Sequence, residues 1–194
     1  MIDFVNFILK KVYNSEPIEE EFVNKALELT YNDVKYHFPE VTLQQVKNNI
    51  TNNSNELAIF LFRLGNLLFL LKKDELTPQL HWLLKELCSC EIYFNNQIEV
   101  GFYVVHGEGT VIGSRNKIGK GFKIHQGCTI GHKTNKGGQG NTIGHNVTMY
   151  CNSSIIGELQ IEDNVIIGAH TLVIKNISNN TIVHNHNNIQ TKRY

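Results

Sequence analysis

Histidine and cysteine are the side chains in this sequence best suited to chemistry, and His106 is the one whose setting is most unusual. The chain has nine histidines and four cysteines. Imidazole changes protonation near neutral pH, so it can accept or donate a proton during a reaction. His106 opens the glycine-rich stretch His106-Gly107-Glu108-Gly109, which interrupts a regular repeat described below. A surface histidine on a corner is the alternative, but a glycine-flanked interruption favours catalysis.

The other candidate ligands and nucleophiles give weaker signals. His125, His132 and His145 lie close together along the chain, in or near a polar segment, and are expected to be solvated or at the edge of a substrate site. No carboxylate or cysteine set accompanies them, so no metal site is predicted. The four cysteines show neither metal-type spacing nor a disulfide framework and are expected to be reduced thiols of a cytosolic protein. They are Cys88, Cys90, Cys128 and Cys151.

A six-residue repeat of aliphatic residues runs through the second half of the chain and must position these groups. Neither a helix nor a simple strand gives this period, whereas a parallel β-helix does. Each repeat contributes one short strand and a turn, and three repeats close one triangular coil. The repeat positions are Ile92, Ile98, Val104, Ile112, Ile118, Ile124, Ile130, Ile143, Met149, Ile155, Ile161, Ile167 and Val173.

The repeat is interrupted twice. Val104 and Ile112 are eight residues apart, so the His106 stretch contains a two-residue insertion. Ile130 and Ile143 are thirteen residues apart, so residues 131–142 carry a seven-residue insertion, HKTNKGGQGN in its polar part. A polar, glycine-rich insertion of this kind predicts a loop extruded from a corner of the coil, where function is often located.

The first 90 residues have a different character. Gly65 is the only glycine before position 91, and apolar residues recur at helical spacing. Pro17 and the acidic residues after it favour a helix start, and Thr42 can cap a short helix. Residues 56–71 and 78–88 are expected to form two packed helices, and the polar residues 48–55 a loop. The predicted division is a helical domain at 1–90, a β-helix domain at 91–178 and a C-terminal tail at 179–194.

Composition excludes several classes of function. The formal net charge is zero, which gives no electrostatic basis for binding nucleic acid or a membrane surface. The N-terminus lacks the pattern of a signal peptide. The most apolar run, 57–71, is interrupted by Arg63, Gly65 and Asn66 and is short for a membrane span, so we expect a buried helix in a cytoplasmic protein.

Three segments of the repeat region resemble serine acetyltransferases, which belong to the left-handed β-helix acyltransferases. They are GFYVVHGEGTVIG at 101–113, HQGCTIG at 125–131 and IGAH at 167–170, followed by Lys175. The similarity extends over most of residues 56–178. It implies an α+β fold in which an all-helical N-terminal domain precedes a left-handed parallel β-helix with one extruded loop. It also implies a homotrimer, or a dimer of trimers, with active sites between neighbouring β-helices.

The resemblance assigns roles to particular residues. His106 corresponds to the general base that takes the proton of an acceptor hydroxyl, and Glu91, fifteen residues earlier, to the carboxylate that orients the base. For Glu91 an exposed carboxylate at a domain junction is the alternative. Acetyl-CoA is the implied co-substrate, held along the coil edge by backbone amides and small residues, with a lysine near its phosphates. The matching positions are Gly131, Cys151, Ser153, Gly168, Ala169 and Lys175; a core role is the alternative for Cys151.

The departures from the family pattern concern the acceptor. Val105 replaces an acidic residue, and Gln139-Gly140-Asn141 replaces a stretch with titratable side chains. A zwitterionic acceptor would lack charge partners there, and an unpaired buried charge is costly. We therefore expect O-acetylation of a sugar or related polyol of a surface-polysaccharide pathway. The alternatives are L-serine O-acetylation in cysteine biosynthesis and a β-helix scaffold that has lost catalysis.

Overall fold

The computed structural model describes residues 1–134 and 138–185. This part of the chain begins with α-helices and continues as short parallel strands. The helices are α1 (Ile2–Leu9), α2 (Glu20–His37), α3 (Leu43–Asn52), α4 (Ser54–Leu70) and α5 (Thr77–Cys88), with a 3-10 turn at Asp74–Leu76 before α5. The first strand begins at Glu91, so the type of secondary structure changes next to the predicted boundary at residue 90.

The predicted loop at 48–55 is wrong. Residues up to Asn52 complete α3, Asn53 alone lies between the helices, and α4 starts at Ser54. The Thr42 hydroxyl accepts a hydrogen bond from the Gln45 amide and the Gln45 side chain accepts one from the Thr42 amide, which fixes the start of α3. Burial of Ile50 stabilises its last turns despite the polar composition. The short connection places the first turn of α4 against the β-helix.

The second part is a parallel β-helix with three sheets, as the six-residue repeat predicts. The strands are β1 (Glu91–Ile92), β2 (Gln97–Ile98), β3 (Tyr103–Val104), β4 (Val111–Ile112), β5 (Lys117–Ile118), β6 (Lys123–Ile124), β7 (Thr129–Gly131), β8 (Thr142–Ile143), β9 (Thr148–Met149), β10 (Ser154–Ile156), β11 (Gln160–Ile161), β12 (Ile166–Ile167), β13 (Leu172–Val173) and β14 (Ile182–Val183). Sheet A has the order β1-β4-β7-β10-β13, sheet B β11-β8-β5-β2 and sheet C β14-β12-β9-β6-β3. All thirteen repeat positions are buried, with at most 7% of each residue exposed.

In-register pairing explains why the repeat is so regular. Ile112 of β4 pairs with Ile130 of β7, which pairs with Ile155 of β10, and the other two sheets repeat the arrangement. Each coil therefore places one aliphatic side chain from each face on top of the one before, and the stack forms a continuous apolar core. Each buried aliphatic contributes roughly 1.5–3 kcal/mol relative to an exposed one.

Three edges join the sheets, and two of them carry the insertions. We call the edge from sheet C to sheet A, which contains His106, the His106 edge. The edge from sheet A to sheet B, which contains the longer insertion, is the loop edge; Asn135, Lys136 and Gly137 of that insertion lie outside the described residues. The edge from sheet B to sheet C is the third edge. Beyond residue 178, β14 adds to sheet C by pairing with β12, and 186–194 lie outside the described residues.

A buried ion pair joins the helices to the first coil. The Asp33 carboxylate on α2 accepts two hydrogen bonds from Arg63 on α4, at 2.6 and 2.7 Å, and one from the Gly101 amide at 2.8 Å. Arg63 also donates to the carbonyl oxygens of Ile98 and Glu99. Every one of these charges is satisfied, so the pair fixes the helical part against the β-helix at the corner that leads into β3.

The remaining sequence predictions concern membranes, thiols and metals. Within 1–134 and 138–185 no helix is both long and apolar enough to cross a bilayer. Helix α4, which contains the apolar run, is buried over most of its length. The four cysteines are free. In the same ranges no group of three or more histidine, cysteine or acidic side chains is arranged to hold a metal ion.

Candidate active site

His106 lies in a turn at the end of β3, with its side chain exposed. In the described part of the chain no hydrogen bond engages its ring, so both ring nitrogens are open to a substrate. Gly107 is buried, and a Cβ there would lie 3.3 Å from Val104 Cγ1. Gly109 has φ +72°, a conformation that glycine adopts without strain. The backbone around an exposed imidazole is therefore tightly constrained.

Asn55, in the first turn of α4, holds this turn from outside the coil. Its amide nitrogen donates to the Val105 carbonyl oxygen at 3.1 Å, and its amide oxygen accepts from the Gly107 N–H at 3.0 Å. One side chain thus bonds the peptide groups on both sides of His106. Such a clamp fixes the direction in which the imidazole projects, as a catalytic group requires.

Two further rings extend the site along the His106 edge. The His125 ring lies edge-on to His106, with centroids 6.3 Å apart, and stacks on Tyr150 with centroids 4.8 Å apart. Partial burial lowers the pKa of His125 below its ordinary value, and the nearby His106 and Lys123 lower it further. His125 is therefore held in its neutral form near pH 7 and adds no positive charge beside a protonated His106.

Glu91 does not face His106 in this structure. Its Oε1 atom lies 3.1 Å from His81 Nε2 and 3.0 Å from Lys85 Nζ, both on α5. The pKa of Glu91 is lowered: burial alone would raise it, but the hydrogen bonds and positive charges of Lys85 and His81 outweigh that effect. Glu91 therefore contacts α5 instead of the expected partner, His106. The reason is that α5 ends at Cys88 and is followed almost at once by β1, which keeps Glu91 beside the helix.

The expected cofactor-binding residues are divided between two edges. Cys151, Gly168 and Ala169 lie on the His106 edge, Cys151 two coils and the other two residues three coils beyond His106. Gly131 and Lys175 adjoin the loop edge, where Lys175 is exposed. A ligand contacting both groups would have to reach around sheet A, or lie between two chains that each present one edge.

Ser153 does not fit the predicted cofactor role. It is fully buried, and its Oγ atom lies 3.5 Å from Cys128 Sγ inside the coil. Its carbonyl oxygen accepts a hydrogen bond from the Thr129 amide at 3.0 Å. The turn after β9 points this side chain into the core, so it offers no surface to a ligand. Cys151, two residues earlier, is half-buried and retains an accessible face.

The three histidines that are close in sequence lie on three different edges. His125 is on the His106 edge. His132 is on the loop edge, where its Nε2 atom lies 2.9 Å from the Ser114 carbonyl oxygen and its Nδ1 atom is buried without a partner in the described part of the chain. His145 is on the third edge and accepts a hydrogen bond from the Lys120 amide. Six-residue steps carry the chain from one edge to the next, so neighbours in sequence are separated in space.

The loop edge has a cavity of its own, of about 480 Å³. His132, Lys133 and Thr134 line one side, and Ile156, Leu159 and Ile174 supply an apolar floor. Arg115 anchors the far end of the insertion by donating from Nε to the Gly138 carbonyl oxygen at 2.8 Å. An apolar floor beside a lysine could accept an extended ligand with a charged end.

The helices bring to the site two residues that the sequence did not predict. Asn55 stands in a polar run with no catalytic pattern, and His81 lies on an amphipathic helix. The one available signal was the asparagine-rich run around Asn53, where α3 ends and α4 begins. Asparagine side chains bond nearby backbone groups and are favoured at helix ends rather than in helix interiors.

Known proteins similar to this chain are serine acetyltransferases. The serine acetyltransferase of Staphylococcus epidermidis is 37% identical over 94 residues, which cover 48% of this chain and 44% of that protein. The chain thus matches less than half the length of that relative. No protein-family model matches the chain.

Solved structures give the same result for the fold. A serine acetyltransferase of Neisseria gonorrhoeae in complex with serine matches with a TM-score of 0.71 and 22% identity, covering 84% of this chain and 66% of that one. The Brucella abortus enzyme in complex with coenzyme A matches with a TM-score of 0.70 and 17% identity, covering 93% and 68%. These matches confirm the predicted fold class, a helical part followed by a left-handed parallel β-helix, and the resemblance to serine acetyltransferases.

Proposed function

We propose that this chain is an acetyl-CoA-dependent O-acetyltransferase whose acceptor is L-serine. The observation that carries the proposal is the clamped, exposed His106 on the edge of a β-helix similar to that of serine acetyltransferases. The similar proteins are serine acetyltransferases, which supports serine as the acceptor rather than the sugar expected from sequence. The solved relatives include complexes with serine and with coenzyme A.

His106 acts as the general base in this proposal. An alcohol is a weak nucleophile near neutral pH. The imidazole accepts the hydroxyl proton as the acceptor oxygen attacks the thioester carbonyl, and returns it to the departing thiolate when the tetrahedral adduct collapses. Such proton transfer accelerates a reaction by on the order of 10²- to 10⁴-fold. Because His125 is neutral, it adds no charge repulsion when His106 takes up the hydroxyl proton.

Glu91 has an indirect role in this arrangement. Its carboxylate is engaged by His81 and Lys85, and Glu91 is itself the residue of β1 that pairs with Val111, just after the His106 turn. We propose that it positions β1 under this turn in the single chain. Glu91→Gln should accordingly cost less activity than loss of His106.

Acetyl-CoA is the proposed co-substrate, and its site spans two edges. Cys151, Gly168 and Ala169 offer small, accessible surface near His106, while Lys175 and the cavity beside Lys133 on the loop edge offer positive charge and an apolar floor. We propose that the two edges come from neighbouring chains of a homotrimer. The exposure of His106 in one chain supports this, because transfer to an alcohol rather than to water needs an enclosed site.

The acceptor is tested by comparing L-serine with a panel of sugars and nucleotide sugars, following release of the CoA thiol from acetyl-CoA. The proposal expects saturable release with L-serine and little with any sugar. Release with sugars alone would restore the polysaccharide hypothesis, and no release with any acceptor would favour a scaffold. Light scattering should give three or six times the 22.1 kDa mass of one chain, and a stable monomer would contradict the shared site.

A further inference from the structure

We infer that Glu56 determines acceptor specificity by binding the ammonium group of an amino-acid acceptor. The inference rests on the proposed function and adds to it a residue outside the β-helix. Glu56 lies in the first turn of α4, directly after the residue that clamps the His106 turn.

The Glu56 carboxylate is buried but incompletely satisfied. Only 7% of the residue is exposed, and in the described part of the chain its Oε2 atom has no hydrogen-bond partner. Apart from its own backbone N–H, the carboxylate has one long contact, 3.4 Å from Oε1 to Asn49 Nδ2. No lysine, arginine or histidine in the described ranges forms an ion pair with it. A buried acceptor without a partner costs roughly 1–3 kcal/mol, and more if charged, so its presence needs a reason.

Glu56 is one of the residues that line a cavity suited to a cation. The cavity has a volume of about 370 Å³, and Glu40, Phe38 and Tyr103 contribute to its walls. The rings of Phe38 and Tyr103 meet edge-on with centroids 5.5 Å apart. No basic side chain lines it. Carboxylates and aromatic faces together attract ammonium groups and disfavour anions.

The cavity and the His106 turn are built from the same two elements, the first turn of α4 and β3 with the turn that follows it. Asn55, next to Glu56, bonds both peptide groups that flank His106. Tyr103 begins β3, three residues before His106. An amino acid whose ammonium group meets Glu56 can therefore direct its hydroxyl group toward the His106 turn. This arrangement also supplies the negative charge that is missing at Val105, since the charge comes from α4 instead of from the coil.

A binding role and a structural role make opposite predictions for stability. Burial raises the pKa of Glu56, with hydrogen bonds from its own backbone and from Asn49 opposing the shift. The Glu56 carboxylate therefore contributes little to the stability of the folded protein when no ligand is bound. Replacing it with glutamine should leave the melting temperature unchanged or slightly raised, whereas loss of a structural carboxylate would lower it.

The experiment compares L-serine with 3-hydroxypropionate, which has the same hydroxyl and carboxylate but no amino group. The specificity ratio, kcat/KM for L-serine divided by that for 3-hydroxypropionate, is measured for wild type, for Glu56→Gln, and for Glu86→Gln on exposed surface of α5. Glu56→Gln should lower the ratio about ten- to a hundredfold, mainly through KM for L-serine, as expected for a lost charge-assisted hydrogen bond. Glu86→Gln should not change it.

An unchanged ratio in Glu56→Gln would overturn the inference, as would an equal loss with both acceptors accompanied by a lower melting temperature. If wild type releases no thiol with L-serine, the proposed function fails, and calorimetry with L-serine alone then decides the inference. Binding to wild type that is weakened at least tenfold in Glu56→Gln supports it; absent binding, or equal binding to both proteins, overturns it.

Discussion

The His106 edge and the loop edge of the β-helix are built from the same repeat but satisfy their polar groups in different ways. On the loop edge, the buried asparagines Asn96, Asn116 and Asn141 form a ladder. The Asn96 Oδ1 atom accepts from the Asn116 amide at 2.8 Å, and the Asn116 Oδ1 atom accepts from the Asn141 amide at 2.9 Å. Each rung bonds the next coil, so these three side chains are used inside the coil and not for a ligand.

On the His106 edge, the corresponding side chains are imidazole and phenol rings that stack along the coils. His106, His125 and Tyr150 touch through their faces and edges, and in the described residues His106 has no polar partner. The backbone of the His106 turn is held from outside, by Asn55 of α4. The contrast suggests a rule for this fold. Side chains that hydrogen-bond from coil to coil make an edge rigid, whereas an edge whose backbone is held by another element keeps its side chains available for chemistry.

Replacing His106 should have the largest effect and should separate activity from stability. His106→Ala is expected to lower acetyl transfer by about 10²- to 10⁴-fold, because it removes the proposed base. The melting temperature should stay close to that of wild type, since the ring is exposed and unbonded. Thiol release and thermal unfolding measure the two quantities. His145→Ala, on the third edge, is the matched control; equal activity of His106→Ala and wild type would place the active site elsewhere.

Replacing Asn116 should have its main effect on stability rather than on activity. Asn116→Ala leaves the Asn141 amide without its buried acceptor, at roughly 1–3 kcal/mol for each group left unpaired. The free energy of unfolding, measured with urea, should fall accordingly. Asn176→Ala is the control, because that side chain is exposed and accepts a single bond from the Gln160 amide. If both variants unfold alike, the ladder is not what makes the loop edge rigid.

Replacing Asn55 should give the smallest of the three effects and test the external clamp directly. Asn55→Ala removes both bonds to the His106 turn, and loosening the base should lower kcat by about tenfold without abolishing activity. Asn52→Ala, at the exposed end of α3, should leave kcat unchanged. A full-activity Asn55→Ala protein would show that the turn holds its own conformation, and the difference between the two edges would then lie only in their side chains.

Local pattern was enough to predict much of the β-helix. Thirteen aliphatic positions predicted thirteen buried side chains, and the two breaks in the repeat located both insertions. This works because each strand pairs in register with a strand one coil away, so one residue in six must be apolar whatever lies around it. His106 was found for the same reason, as a polar residue in a break of that pattern.

Contacts between distant segments were decided only by tertiary structure. The sequence placed Glu91 with His106, whereas the fold places it with His81 and Lys85 of α5. It grouped His125, His132 and His145, which the coil distributes over three edges. It treated residues 48–55 as a loop, although that segment completes α3 and supplies Asn55 to the site. A periodic pattern specifies which face a residue occupies; which helix packs against that face depends on the fit of surfaces far apart in the chain, for which no short segment carries a signal.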